Sequence, residues 1–166
     1  MFVHVSDFLH AWKQEMENTI KILGALTDDS LKLPEHEHVR SIGQMAWHIT
    51  TTIPEMIEKM GVDVGPPTET DPIPESAQAL REAYEKHANK VISEVSKWQD
   101  PDLQIEDDMY GMKWQRSLTL WIFIKHEIHH RGQLTVLMRL AGLTVPGIYG
   151  PAKEEWVKFG MQIPEF

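Results

Sequence analysis

Leu118-Thr119-Leu120-Trp121-Ile122-Phe123-Ile124-Lys125-His126-Glu127-Ile128-His129-His130 is the stretch that decides how this chain folds. Three histidines and a carboxylate interrupt an otherwise oily segment, and a second apolar run, Leu134-Thr135-Val136-Leu137-Met138, follows soon after. In a helix, residues i and i+4 lie about 40° apart on one face, so His126 and His130 stand one above the other. At about 100° per residue, Thr119, Ile122, Phe123, Gln133, Leu137 and Leu140 fall within roughly 60° of His126. That is the face this helix is expected to bury. Imidazoles directed at a core need partners, because unpaired buried polar groups are costly. A divalent cation serves both rings at once; a hydrogen-bonded polar cluster is the alternative.

Composition narrows the rest. The 166 residues suit a single domain spanning 1–166, and the 42% hydrophobic content supplies a core rather than a disordered chain. The chain contains no cysteine, which removes disulfides, thiolate nucleophiles and Cys-type zinc sites and leaves His, Asp and Glu as ligands. A formal net charge of −9 argues against nucleic acid as a partner, since phosphate contacts need a basic face. The N-terminus lacks a charged-then-apolar leader, and no apolar run reaches transmembrane length. The expectation is a soluble, cytoplasmic protein that engages no membrane and takes a small-molecule substrate.

The chain reads as all-α, with four long helices and two non-helical excursions. The first helix is expected over 5–27, with Leu9, Trp12, Met16, Ile20 and Leu23 as its stripe. A polar connection containing Pro34 follows over 31–40. The second helix, 42–60, opens on a Ser41/Gln44 capping box and closes at Gly61. Its internal Pro54 should kink it or free one backbone carbonyl close to His48. A loop rich in Pro, Gly, Thr and Asp occupies 62–74, long enough for a crossover. A third helix covers 75–98, with Leu80, Tyr84, Val91, Val95 and Trp98 in line. Within 103–116, Leu103-Gln104-Ile105 and Met112-Lys113-Trp114 flank Asp107-Asp108-Met109-Tyr110-Gly111, a pattern read as a short β-hairpin. The fourth helix covers 117–140 and stops at Gly142, and Pro151 opens a short C-terminal helix ending near Gly160. Four amphipathic helices of this length predict a four-helix bundle, an architecture that builds metal sites from side chains on facing helices.

Spacing alone does not identify a third ligand. His87 sits in the centre of the third helix's stripe and His48 at the edge of the second's, so the two are comparable; for either, the alternative is a core histidine bonded to a backbone carbonyl or hydroxyl. His36 and His38 fall in a polar loop, and His4 and His10 in or near the first turns of the first helix. Trp47-His48-Ile49, taken with His126-Glu127-Ile128-His129-His130-Arg131-Gly132-Gln133, resembles the DinB / YfiT-like superfamily of metal-binding four-helix bundles. The likeness extends over essentially the whole chain, including helix order and the long connection between the second and third helices. It implies a Ni²⁺ or Zn²⁺ site formed by His48, His126 and His130, with His87 and His129 outside the ligand set.

Three neutral imidazoles would leave metal positions open, which suits catalysis more than structure. The resemblance implies a metal-dependent enzyme: a transferase of low-molecular-weight thiols such as bacillithiol or mycothiol, or a hydrolase of a small substrate. A structural or ligand-sensing metal is the non-enzymatic alternative. Residues 126–130 also match the zincin motif H-E-x-x-H. Against that reading, Gln133 and Val136 occupy the positions where the metzincin extension needs Gly and His, and no sheet is expected that could align a peptide.

Around the site, Gln133 shares the ligand face and is a candidate to orient a ligand or substrate. His129, roughly 60° from His126, is a candidate proton carrier, and Glu127, about 100° off the face, is expected in a salt bridge rather than as a base. Gly132 is expected to permit close helix approach, and Met45 and Met56 to line a pocket or the core. Trp121, Ile124 and Ile128 lie roughly 140–160° from His126 and form a second apolar face. Either the 103–116 hairpin or a partner subunit must cover it. The resemblance leans toward a homodimer with this helix near the interface.

Overall fold

Helical periodicity is realised as four helices: α1 Val5–Leu23, α2 Ile42–Ile57, α3 Ala77–Val95 and α4 Arg116–Leu140, with a two-stranded antiparallel hairpin, β1 Glu106–Met109 and β2 Met112–Gln115, immediately before α4. The computed structural model describes residues 1–66 and 68–162; Pro67 of the 62–74 loop and residues 163–166 of the expected domain lie outside the described residues. Among the described residues, no helix is long and apolar enough to cross a membrane.

Helix packing follows an unusual order. α1 and α2 each lie along both α3 and α4, so the consecutive pairs α1/α2 and α3/α4 occupy the diagonals of the bundle. In a simple up-down bundle consecutive helices are neighbours. Here the 24–41 and 96–115 segments cross the diagonals, whereas the long loop after α2 joins two neighbouring helices. This arrangement presses α2 against α4, bringing the helix with His48 against the helix with His126 and His130.

The core is aromatic at one end. Trp12 of α1 stacks on Phe8 and meets Phe123 of α4 at 4.5 Å between ring centroids. Its indole N–H donates to the Ala88 carbonyl of α3 at 3.1 Å, so burying the ring leaves no polar atom stranded. The α2 cap is reciprocal: Gln44 N–H donates to Ser41 Oγ and Ser41 N–H to Gln44 Oε1. Pro54 leaves α2 helical through Ile57. One turn upstream, the hydroxyls of Thr50, Thr51 and Thr52 bond back to the carbonyls of Ala46, Trp47 and His48.

Several boundaries differ from the sequence reading. α1 ends at Leu23, and a 3-10 turn, Asp28–Lys32, occupies the start of the polar connection. α3 is shorter at both ends, and the last turn expected of α2 is the 3-10 turn Glu58–Met60, closed by Gly61 in the left-handed region. In the hairpin, 103–105 are not strand: Pro101 and the Gln99/Asp102 box initiate a 3-10 turn, Asp100–Gln104. Asp107 and Asp108 belong to β1, and the turn is Tyr110-Gly111, both at positive φ as a two-residue hairpin loop demands. The C-terminal helix is a 3-10 segment, Lys153–Phe159, ending at Gly160.

Gly132 is not a close-approach residue, since a Cβ there would meet nothing within 4 Å. Gly43 is: a Cβ would come within 2.8 Å of the Leu31 carbonyl oxygen. On α4 the expected buried face holds at Thr119, Phe123 and Leu137, but Gln133 is exposed and Leu140 emerges into solvent at the helix end. Of the second apolar face, Ile124 is buried, Ile128 is half-buried beside the C-terminal segment around Ile148, and Trp121 stays exposed under the Lys125 ammonium.

Candidate metal centre

His48, His126 and His130 converge where α2 packs on α4, with one ligand nitrogen from each lying within 4.8 Å of the others. His130 Nε2 stands 3.2 Å from His48 Nε2 and 3.1 Å from His126 Nε2. Hydrogen bonding fixes which nitrogens carry protons. His48 Nδ1 faces a carboxylate oxygen of Glu69 at 3.2 Å, and His130 Nδ1 faces the Gln133 side-chain carbonyl at 2.8 Å. Both partners are acceptors, so each Nδ1 donates and each opposing Nε2 presents a bare lone pair. Two lone pairs 3.2 Å apart repel unless a cation lies between them. A tetrahedral zinc with bonds of about 2.0–2.1 Å needs ligand nitrogens roughly 3.3–3.4 Å apart, close to the spacing observed. The donor set and its tautomers therefore fit a divalent ion.

The rings also keep those lone pairs free near neutral pH. Burial holds the His126 pKa down to about 4, with the neighbouring imidazoles adding to the effect. Burial lowers His48 and His130 as well. The Arg40 guanidinium contributes to the depression at all three. All three are thus neutral, the form in which imidazole ligates.

Local folding explains how Glu69 reaches the site. Trp47, beside His48, donates its indole N–H to the Asp71 carbonyl at 3.1 Å and so pins the loop after α2. Asp71 in turn accepts from the Thr68 N–H, closing a tight turn that carries Glu69 toward His48. Neither Glu69 nor Arg40 stands out in the sequence. Both sit in polar segments, and only the tertiary course of those segments brings them to the histidines. Gln133, by contrast, lies where its helical position put it. Its amide accepts from His130 and faces His129 Nε2 at 3.2 Å, linking the exposed His129 to the cluster.

Other candidates go elsewhere. His87 is buried, with Nδ1 3.0 Å from the Val64 carbonyl, a core histidine satisfied by backbone. His4 pairs instead with Asp100, its Nδ1 2.8 Å from a carboxylate oxygen, and is not part of the histidine cluster. Met56 packs in the core, whereas Met45 lines a hollow beside His130.

Glu127 is the main correction. It forms no salt bridge among the described residues, because Arg131, one turn on, pairs with Glu15 instead. Glu127 turns into the bundle centre, where Thr19 donates to its Oε1 at 2.7 Å and Tyr84 donates to the same oxygen. Its second oxygen is buried without a partner. Burial raises its pKa to about 7. A zincin base must face the metal ligands. This carboxyl faces α1 and α3, which removes the protease reading.

Three hollows border His48 and His130. One of about 500 Å³ lies between the 36–40 segment and His48, a second of about 410 Å³ on the other side of His48 and Glu69, and a third of about 450 Å³ beside His130 and Gln133.

Comparison with known proteins identifies the fold and the family. The chain is 40% identical, over 99% of both chains, to an uncharacterized protein, YrdA, of Bacillus subtilis strain 168. It superposes with a TM-score of 0.82 and 38% identity on the crystal structure of a DinB-like protein from Bacillus cereus ATCC 10987, covering 90% of this chain and 100% of that one. A DinB-like protein from B. subtilis shares the fold at a TM-score of 0.68 and 19% identity, over 88% of this chain and 99% of that one. The DinB family model matches residues 1–164, and the chain belongs to the DinB family.

Proposed function

We propose that this chain is a cytoplasmic, metal-dependent enzyme that binds Zn²⁺ or Ni²⁺ through His48, His126 and His130 and transfers a low-molecular-weight thiol of the bacillithiol type to a small electrophile. One observation carries the reading: three neutral imidazoles bring ligand nitrogens together, with Nε2 of His48 and of His130 unprotonated, and hollows border both His48 and His130. A structural ion would be enclosed by four protein ligands. A divalent ion there supplies Lewis acidity that lowers the pKa of a thiol or water beside it. The chain's own part is positional. Glu69 and Gln133 lock the tautomers of His48 and His130, and the surrounding hollows orient the electrophile. The absence of cysteine means the attacking sulfur must come from a cofactor. Its sulfur forms the new C–S bond, the leaving group departs with the bonding pair, and the thiol proton passes to solvent.

The test has two stages. Elemental analysis should find one divalent ion per chain, lost in His48→Ala and His126→Ala and kept in His87→Ala. Incubation with bacillithiol and monochlorobimane should then give a conjugate of the expected mass, abolished by chelation. Stoichiometric metal without a conjugate from any common cellular thiol rejects the transferase. Chelator-sensitive cleavage of small esters would then support a hydrolase at the same centre.

A further inference from the structure

Arg40 stands on the rim of the two hollows that flank the 36–40 segment, one reaching His48 and the other His130 and Gln133. Its side chain is substantially exposed, and its one ionic partner among the described residues is Glu69 at 3.5 Å, itself mostly in solvent. Such a pair is weak. The same Glu69 oxygen also faces His48 Nδ1, so the guanidinium holds only a share of one acceptor. A cation this close to a metal centre works against metal binding, so its position calls for a compensating anion. The hollow beside His130 supplies the rest of a binding site. Val39, Met45, Val136 and Leu137 form its apolar lining, Val39 and Val136 at the exposed rim, with His38, Arg40, His130 and Gln133 as polar groups. At about 450 Å³ it falls in the size range of small-molecule sites.

We propose that this hollow binds a small oxyanion carrying a short apolar chain, with Arg40 gripping the anionic group and Val39, Met45, Val136 and Leu137 enclosing the tail. The guanidinium fork matches carboxylate and phosphate oxygens alike. Glu37 and Glu69 are the acids nearby, and Glu69 is the group the incoming anion displaces from Arg40. The inference deepens the enzymatic reading by naming a substrate class for the same site, yet anion binding itself does not require the metal.

The experiment is therefore calorimetric titration of chelator-treated full-length protein with hexanoate, hexyl phosphate, acetate, hexanol and hexylamine. Hexanoate or hexyl phosphate should bind saturably; the tighter of the two identifies the carboxylate or the phosphate as the anionic group. Arg40→Gln should weaken binding roughly ten- to a hundredfold, the worth of a charge-assisted hydrogen bond, and Arg40→Lys by less. Glu69→Gln should tighten it. Val136→Ser, at an exposed position that threatens no core, should weaken hexanoate a few-fold and leave acetate unchanged. Equal binding of hexanol or hexylamine, an unchanged affinity in Arg40→Gln, or no saturable binding of either anion overturns the proposal. Metal content is measured separately. Arg40-dependent binding in a protein that takes up no metal would sink the metal reading and leave this one standing, and the reverse result would do the opposite.

Discussion

Replacing Glu127 with Gln should change how stability depends on pH, by an amount the structure sets. The carboxyl lies fully inside the bundle, with one oxygen taking both hydroxyl donors and the other taking none. Burial, reinforced by the Glu15 charge, raises its pKa from 4.5 to about 7 against the opposing pull of Tyr84, Thr19 and Arg131. The folded state therefore holds this proton more tightly than the unfolded chain. Stability from that proton is fully present below pH 4.5 and is lost as pH rises through 7. At 1.36 kcal/mol per pH unit, ionising the buried group costs about 3 kcal/mol in full, of which about 2.5 kcal/mol accrues between pH 5 and 8. Gln keeps an oxygen for Thr19 and Tyr84 but cannot ionise. Whatever constant the new amide N–H contributes by lacking an acceptor, the variant should gain about 2.5 kcal/mol relative to the parent on going from pH 5 to pH 8. His126 works in the other direction, because its depressed pKa removes stability as pH falls from 6.5 toward about 4, but it is common to both proteins. Urea denaturation of chelator-treated parent and variant at the two pH values reads the difference directly. An offset that stays the same at both would mean that Glu127 is charged throughout and compensated, and would refute a carboxyl that burial keeps protonated.

Three further outcomes are expected. Because burial lowers the pKa of all three imidazoles, Zn²⁺ binding at pH 6 should release fewer protons per ion than the roughly two that three ordinary histidines would give, measured by calorimetry in buffers of differing ionisation enthalpy; release of about two contradicts the depressed pKa values. Gly132→Ala should stabilise the protein by about 0.5–1 kcal/mol, since the site is open and helical, whereas Gly43→Ala should destabilise it by about 1–3 kcal/mol through the Leu31 carbonyl; equal effects on the urea midpoint would disprove the packing contrast. We also propose a homodimer with α4 near its interface, on the strength of the exposed Trp121 and the exposed Tyr110 and Met112 of the hairpin; sedimentation at micromolar concentration should show twice the 19.2 kDa chain mass, and a monomer that persists on concentration rejects it.

What could be read from the sequence follows the range over which each interaction acts. Helices declare themselves through contacts three and four residues apart, so α2 and α4 were legible to within a turn, and so was the i, i+4 pair His126/His130. The Ser41/Gln44 box is equally local and was equally legible. The choice of His48 over His87 is not local: both lie on or beside apolar stripes, and only the packing of α2 against α4, rather than any feature of α3, decides which faces the pair. The family resemblance supplied that choice because it carries tertiary information that periodicity lacks. Glu127 shows the opposite failure. Its angle about α4 correctly set it apart from the ligands, but an angle does not reveal what lies in that direction. Consecutive helices occupy the diagonals here, so a side chain leaving the ligand face of α4 meets both Thr19 of α1 and Tyr84 of α3 in the bundle centre, partners that no spacing along α4 reveals. Arg40 and Glu69 were hidden for the same reason. Each belongs to a segment with no periodicity of its own, and each acquires a role only when Trp47 pins the loop after α2 and the 36–40 segment closes over the histidines. In this fold the helices supply the candidate ligands and Gln133, and the connections supply Glu69 and Arg40, which set the His48 tautomer and the local charge.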